Sequence, residues 1–133
     1  MEEVEKREGR HRPRSEARVF DLHGVRFSSL VSSASGARSI AAWRADFAPH
    51  TPGRPHTMTE EEVLHVLAGE LDVEVDREHF TAQTGDAVLV PAGAVLTVGN
   101  SADEPACAWV TSLVGMKASM QPGGEELAPP WAQ

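Results

Sequence analysis

An all-β barrel or sandwich is the fold class this sequence predicts, on three observations. From Val19 onward no stretch of eleven residues carries a helical hydrophobic period. The apolar runs are short, and Gly, Pro, Asp and Asn punctuate them at close intervals. In residues 71–75 apolar side chains alternate with acidic ones, as they do in a strand with one face in water.

The elements follow in order. Residues 1–18 carry six basic and five acidic side chains with almost nothing apolar, so they read as a flexible charged tail ahead of one domain, residues 19–133. Val19, Phe20, Leu22, Val25 and Phe27 suggest a strand pair broken at His23-Gly24. Residues 39–47 suggest a longer strand, closed by the cluster Pro49, Pro52, Gly53 and Pro55. Residues 62–68 form the clearest strand, and residues 71–75 turn back through Asp76-Arg77-Glu78 into residues 79–82. Residues 87–90 and 95–98 flank a tight turn at Pro91-Ala92-Gly93, and residues 106–114 close the set. The end, GGEELAPPWAQ, is not expected to continue a sheet, because Pro129-Pro130 removes two backbone donors. Trp131 beyond it is either a plug on the barrel or an oligomer contact.

A chain of 133 residues is one domain's worth and buries about two-thirds of its unfolded surface. The single Cys107 forms no internal disulfide, which points to a reducing compartment. With no apolar run of signal-peptide or membrane-spanning length, the expectation is a soluble cytoplasmic protein without membrane attachment. Net charge is -8, and the domain without its tail has six basic and fifteen acidic residues, a balance of -9 that repels phosphates and disfavours nucleic acid as a partner. No glycine-rich phosphate loop is present, the paired serines at 28–29 and 32–33 lack a nucleophile-elbow context, and the absence of tyrosine excludes phenolic acid catalysis.

Two stretches carry the chemistry. In the first, His56, Glu62 and Gly69 fall on the spacing His, five residues, Glu, six residues, Gly, with Met58 two beyond His56 and His50 six before it. In the second, Gly85, Pro91, Gly93 and Asn100 stand at fixed intervals with Leu96 between them. Together these resemble the two consecutive motifs of the cupin superfamily, and the resemblance covers residues 50–100. It implies a cupin-type β-barrel (double-stranded β-helix, or jelly roll) that pairs as a homodimer. The departures are as informative: Met58 and Leu96 stand where the family places two of its three metal-binding histidines, and His50 stands at the usual leading glycine. Metal-binding members hold a divalent ion with three histidines and a glutamate. Here only His56 and Glu62 remain as firm donors, with the Met58 thioether or a loop-borne His50 to complete a shell if a metal is present.

Side chains two apart on a strand share a face. If Glu62 faces the interior, as the resemblance implies, Leu64 and Val66 face in with it and His65 faces out. His56 and Met58 look inward together. Met58, Leu64, Val66 and Leu96 are then expected to contact substrate, around a catalytic pair of His56 and Glu62. Trp43, Phe47, Phe80 and Trp109 are the aromatic candidates for the lining, and parity does not choose among them. A pocket that is apolar apart from one polar cluster suits an organic ligand. The leading expectation is therefore an enzyme, needing no cofactor, that catalyses a proton-transfer step (isomerase, cyclase or lyase type) on an apolar or aromatic molecule. Similar small cupins suggest a setting in secondary metabolism. The alternatives are a metal-dependent, dioxygenase-like cupin using His56 and Glu62, and a non-catalytic small-molecule binder.

Overall fold

The computed structural model describes residues 10–133. Twelve strands form two six-stranded antiparallel sheets. The first has the order β1 (Arg18–Leu22), β2 (Val25–Val31), β3 (Ile40–Phe47), β10 (Ala106–Leu113), β5 (Glu62–Ala68), β8 (Ala87–Val90). The second runs β12 (Glu126–Leu127), β11 (Ala118–Met120), β4 (His56–Met58), β9 (Leu96–Gly99), β6 (Glu70–Val75), β7 (Glu78–Gln83). This is the all-β jelly roll expected from the sequence. No helix among the described residues is long and apolar enough to cross a membrane.

Turn chemistry sets the registers. Leu22 pairs with Val25, so β1 and β2 are joined by a two-residue loop, and both loop residues, His23 (φ 53°) and Gly24 (φ 83°), adopt the left-handed conformation that matches strand twist. Gly69, between β5 and β6, has φ 71°, and a Cβ there would lie 2.7 Å from the Pro105 carbonyl oxygen, so the reversal demands glycine. Asn100 is buried and ties β9 to the end of β3: its amide donates to the carbonyls of Phe47, Ala48 and Glu104, and its Oδ1 accepts from the Ala102 amide. The asparagine of the second motif is thus an architectural residue.

The inward faces of the two sheets meet in one core. Alternation on β5 buries Glu62, Leu64 and Val66 and exposes His65, while Leu71 and Val73 cover the facing sheet. Around Val66, Leu71 and Val73 the interior is filled.

Three features correct the expectation or choose between its alternatives. First, β12 lies inside the terminal segment that was expected to lie outside any sheet. It is two residues long, pairs with Ala118 and Ser119, and stops before Pro129, so the prolines end the pairing without preventing it. Second, Trp131 is a plug: its ring stacks on Phe27 with centroids 3.8 Å apart and planes 2° from parallel. The Trp131 carbonyl accepts from Ser29 Oγ, and Arg18 Nη2 donates to the carbonyls of Pro130 and Gln133. Third, Arg18, assigned to the charged tail, is the first residue of β1 and a fastener for the C-terminus. A short 3-10 turn, Arg14–Glu16, precedes it; residues 1–9 of the expected tail lie outside the described residues.

Candidate active site

Both sheets part at the end opposite the filled core, leaving a cavity of about 450 Å³. Its walls follow from strand parity. β3 turns Trp43, Ala45 and Phe47 inward, β2 adds Phe27, and the C-terminal segment closes the remaining side with Pro129, Pro130 and Trp131. Of the four aromatic candidates from the sequence, Trp43 and Phe47 line it. Phe80 packs on the core without reaching the cavity, and Trp109 lies on the outer face of β10, between His65 and Arg44 on the neighbouring strands.

Five of the six residues expected at the site line this cavity: His56, Met58, Glu62, Leu64 and Leu96. Val66 does not. It faces inward as parity requires, but pairs with Ala108, deeper in the filled end than Leu64, which pairs with Val110. Parity gives the face of a strand and says nothing of height along the barrel. His50 is also elsewhere. It sits in a left-handed loop position (φ 59°), and its Nε2 is 2.8 Å from Asp103 Oδ1 on the outer surface, which removes it from any ligand set with His56 and Glu62.

His50 borders a larger concavity of about 620 Å³ on the solvent side of β6, β7 and β9. The polar groups there are engaged with one another: Asp72 accepts from the Ser101 amide, and Glu74 lies 3.2 Å from His79. It is the more open of the two, and the less open, more apolar cavity in the barrel is the better chemical site.

Glu62 is 6% exposed. Its carboxyl has no hydrogen-bond partner, and among the described residues no fully buried side-chain polar atom lacks one, so its oxygens border the cavity. Burial with no compensating donor pushes its pKa up to about 8. At neutral pH the group is a carboxylic acid, able to donate a proton.

His56 is the complement. Its Nδ1 donates to the Arg54 carbonyl oxygen at 2.9 Å, which fixes the tautomer and leaves the Nε2 lone pair free. Burial lowers its pKa, opposed in part by that bond, and the ring is neutral at neutral pH. No hydrogen bond joins His56 to Glu62. One cavity thus holds an acid that keeps its proton and a base that lacks one.

The donors do not fit the four-ligand metal site of the barrel's metal-binding relatives. Leu96 is the cross-strand partner of His56 and offers no donor, and Met58 offers only a thioether. Among the described residues no three of His, Cys, Asp and Glu are grouped to hold a cation.

Sequence reasoning missed His23 and Arg54 and left open whether Trp131 reaches the barrel. Arg54 stands two residues before His56, but an exposed arginine carries no signal of its own. His23 lies in a turn and Trp131 arrives from the far end of the chain, so neither carries a local signal.

Comparison with known proteins agrees with this geometry. The Cupin domain family matches residues 43–113, more than half of the chain. Among solved structures, the polyketide cyclase RemF from Streptomyces resistomycificus superposes with a TM-score of 0.71 at 14% identity, over 85% of this chain and 82% of that one. The DMSP lyase DddQ from Ruegeria pomeroyi DSS-3 gives 0.72 at 19% identity, over 84% of this chain and 64% of that one. An RmlC-like cupin from Shewanella frigidimarina NCIMB 400 gives 0.64 at 19% identity, over 74% and 85%. At these identities the likeness speaks for the fold alone. No protein of curated function matches the chain by sequence. The family match, the double-sheet barrel and the inward-facing His56 and Glu62 converge: the chain belongs to the cupin domain family.

Proposed function

We propose that this cupin is an enzyme that binds a small, largely apolar or aromatic organic molecule in the barrel and moves protons on it with His56 and Glu62. The observation that carries the reading is the unpartnered Glu62 carboxyl in an apolar cavity that also holds a neutral imidazole. Keeping an ionisable group in such a place costs several kcal/mol if it is charged and unpaired. Such a cost points to chemical use.

The step is an isomerisation, a cyclisation with dehydration, or an elimination. Nε2 of His56 takes a proton from an acidic C–H or O–H of the substrate, and Glu62 gives its proton to the oxygen or carbon where negative charge develops. The pair ends as imidazolium and carboxylate, and proton return through the cavity resets both. Met58, Leu64 and Leu96, with Trp43 and Phe47, hold the substrate body and exclude bulk water. Two structural neighbours are named as a cyclase and a lyase, which is compatible with this class of reaction.

The reading routes no step through a metal. Elemental analysis of protein purified without a polyhistidine tag, after challenge with iron, manganese, nickel, copper and zinc, is expected to find far less than one metal per subunit. Near-stoichiometric metal that disappears in Glu62→Gln would overturn the reading and favour the metal-dependent one. A cytoplasmic setting and pairing with a second copy belong to the same proposal. The first rests on the lone buried Cys107, the second on the family resemblance and on the open edges of β1, β8, β7 and β12. Light scattering at micromolar concentration is expected to return twice the 14.3 kDa chain mass, and a monomer there refutes the pairing.

A further inference from the structure

Among the described residues that line the cavity, only one is an arginine or lysine. That side chain is Arg54, at the mouth. The ionisable groups that share the cavity with it are His23, His56 and Glu62. Glu62 is buried, whereas Arg54 is exposed. Asp21, next in sequence to the lining residue Leu22, is held by Arg26 at 2.8 Å. Among the described residues no carboxylate pairs with Arg54, and its guanidinium makes no hydrogen bond.

The backbone beneath this free side chain is held firmly. Pro52 and Pro55 flank Gly53-Arg54, and Gly53 is pressed so closely on β9 that a Cβ would lie 2.6 Å from Thr97 Cγ2. The Pro55 carbonyl accepts from the Gln121 amide at 3.0 Å, and the Arg54 carbonyl holds His56 Nδ1. A rigid pedestal thus presents five unpaired N–H donors at the entrance of an otherwise apolar chamber, on a chain of net charge -8. The general field of the protein repels anions, and this point attracts them.

Resting on the proposed role of the cavity, we infer that the ligand is an amphipathic organic acid. Its apolar or aromatic body enters the barrel toward Glu62, and a carboxylate or similarly charged oxyanion stays at the mouth on the Arg54 guanidinium. The planar fork of Arg54 matches a carboxylate in two parallel hydrogen bonds. Such an anchor fixes which end of the molecule meets the acid/base pair, and so acts on substrate orientation.

The test uses three probes of one shape and different charge: naphthoate, naphthylmethanol and naphthylmethylammonium. Their binding to the whole protein is followed by tryptophan fluorescence and calorimetry. Naphthoate is expected to bind about tenfold more tightly than naphthylmethanol, with an advantage that shrinks as salt is raised. Arg54→Gln is expected to erase the advantage, bringing naphthoate and naphthylmethanol to similar affinity, and Arg54→Lys to restore part of it. If naphthylmethanol binds and naphthoate binds no better, or if the preference survives Arg54→Gln, the anchor is refuted while the organic-ligand cavity stands. Tightest binding of naphthylmethylammonium likewise refutes the anchor. If none of the three binds, the cavity reading and the anchor fall together.

Discussion

Replacing Glu62 with glutamine is expected to abolish turnover and to remove a pH dependence of stability that can be measured before any substrate is known. The carboxyl has an ordinary pKa of 4.5 in the unfolded chain and about 8 in the barrel. Between those values the folded state holds a proton that the unfolded state has released, so stability falls as pH rises. The contribution is complete below pH 4.5 and is lost as pH passes through about 8. At about 1.4 kcal/mol per pH unit, the full swing is on the order of 5 kcal/mol. His56 acts in the opposite sense. Its folded pKa lies below 6.5, so its contribution is complete above 6.5 and fades as pH falls toward the folded value. His23 and Arg54 are the other ionisable groups lining the cavity. Denaturant unfolding across this range is expected to show wild-type stability declining toward alkaline pH and Glu62→Gln flat or gently rising. Wild type that is flat between pH 6.5 and about 8, where His56 adds no opposing slope, means the carboxyl is not held protonated, and the proposed acid is lost with it. Once a substrate is found, Glu62→Gln is expected to cost at least about a hundredfold in kcat. The wild-type rate should fall above about pH 8 as the acid ionises, and again at low pH as His56 takes a proton.

That much of the chemistry was legible because it lies on two short strands, β4 and β5, that follow one another in the sequence. β5 spans the residues read from the sequence, and period-two alternation alone sent Glu62 and Leu64 inward and His65 outward. The glycines at 69 and 93, both with positive φ, marked two reversals. What stayed hidden depends on the third dimension. Val66 shares a face with Leu64, yet packing across to Ala108 decides that one fills the core and the other lines the cavity. β4, β11 and β12 are two or three residues long and acquire meaning only by pairing with one another, so no local pattern announces them. The wall made by Trp131 depends on a stack with Phe27 from the other end of the chain. Arg54 was hidden differently: exposed arginines are ordinary, and it becomes informative only when its lack of a partner and its place at the mouth are seen together.

Restoring histidines at the two substituted positions is expected to produce the second large effect, a metal site where the present donors fall short. Leu96 on β9 stands directly across from His56 on β4 in the strand register. Facing residues of paired strands have Cβ atoms about 5 Å apart, within the span of two imidazoles sharing an ion. Met58 lies two residues beyond His56 on the same strand and is buried facing the same cavity as Glu62. The double variant Met58→His with Leu96→His would therefore bring three imidazoles and a carboxylate around one point. Protein carrying both substitutions is expected to retain about one zinc, nickel or cobalt ion per subunit through dialysis. Its melting temperature should rise on metal addition and return with chelator, since free metal at about a thousand times Kd adds roughly 4 kcal/mol to the folded state. Wild type treated identically should show neither change. Binding would also ionise Glu62, because a cation beside the carboxyl outweighs its burial, so the alkaline loss of stability predicted for wild type should vanish in the metal-loaded variant. A folded double variant that takes up no metal would mean that the backbone of β4 and β9 has drifted from ligand geometry. The cavity would then have diverged in shape as well as in side chains. Metal uptake, by contrast, would locate the whole departure from the metal-binding pattern in two side chains.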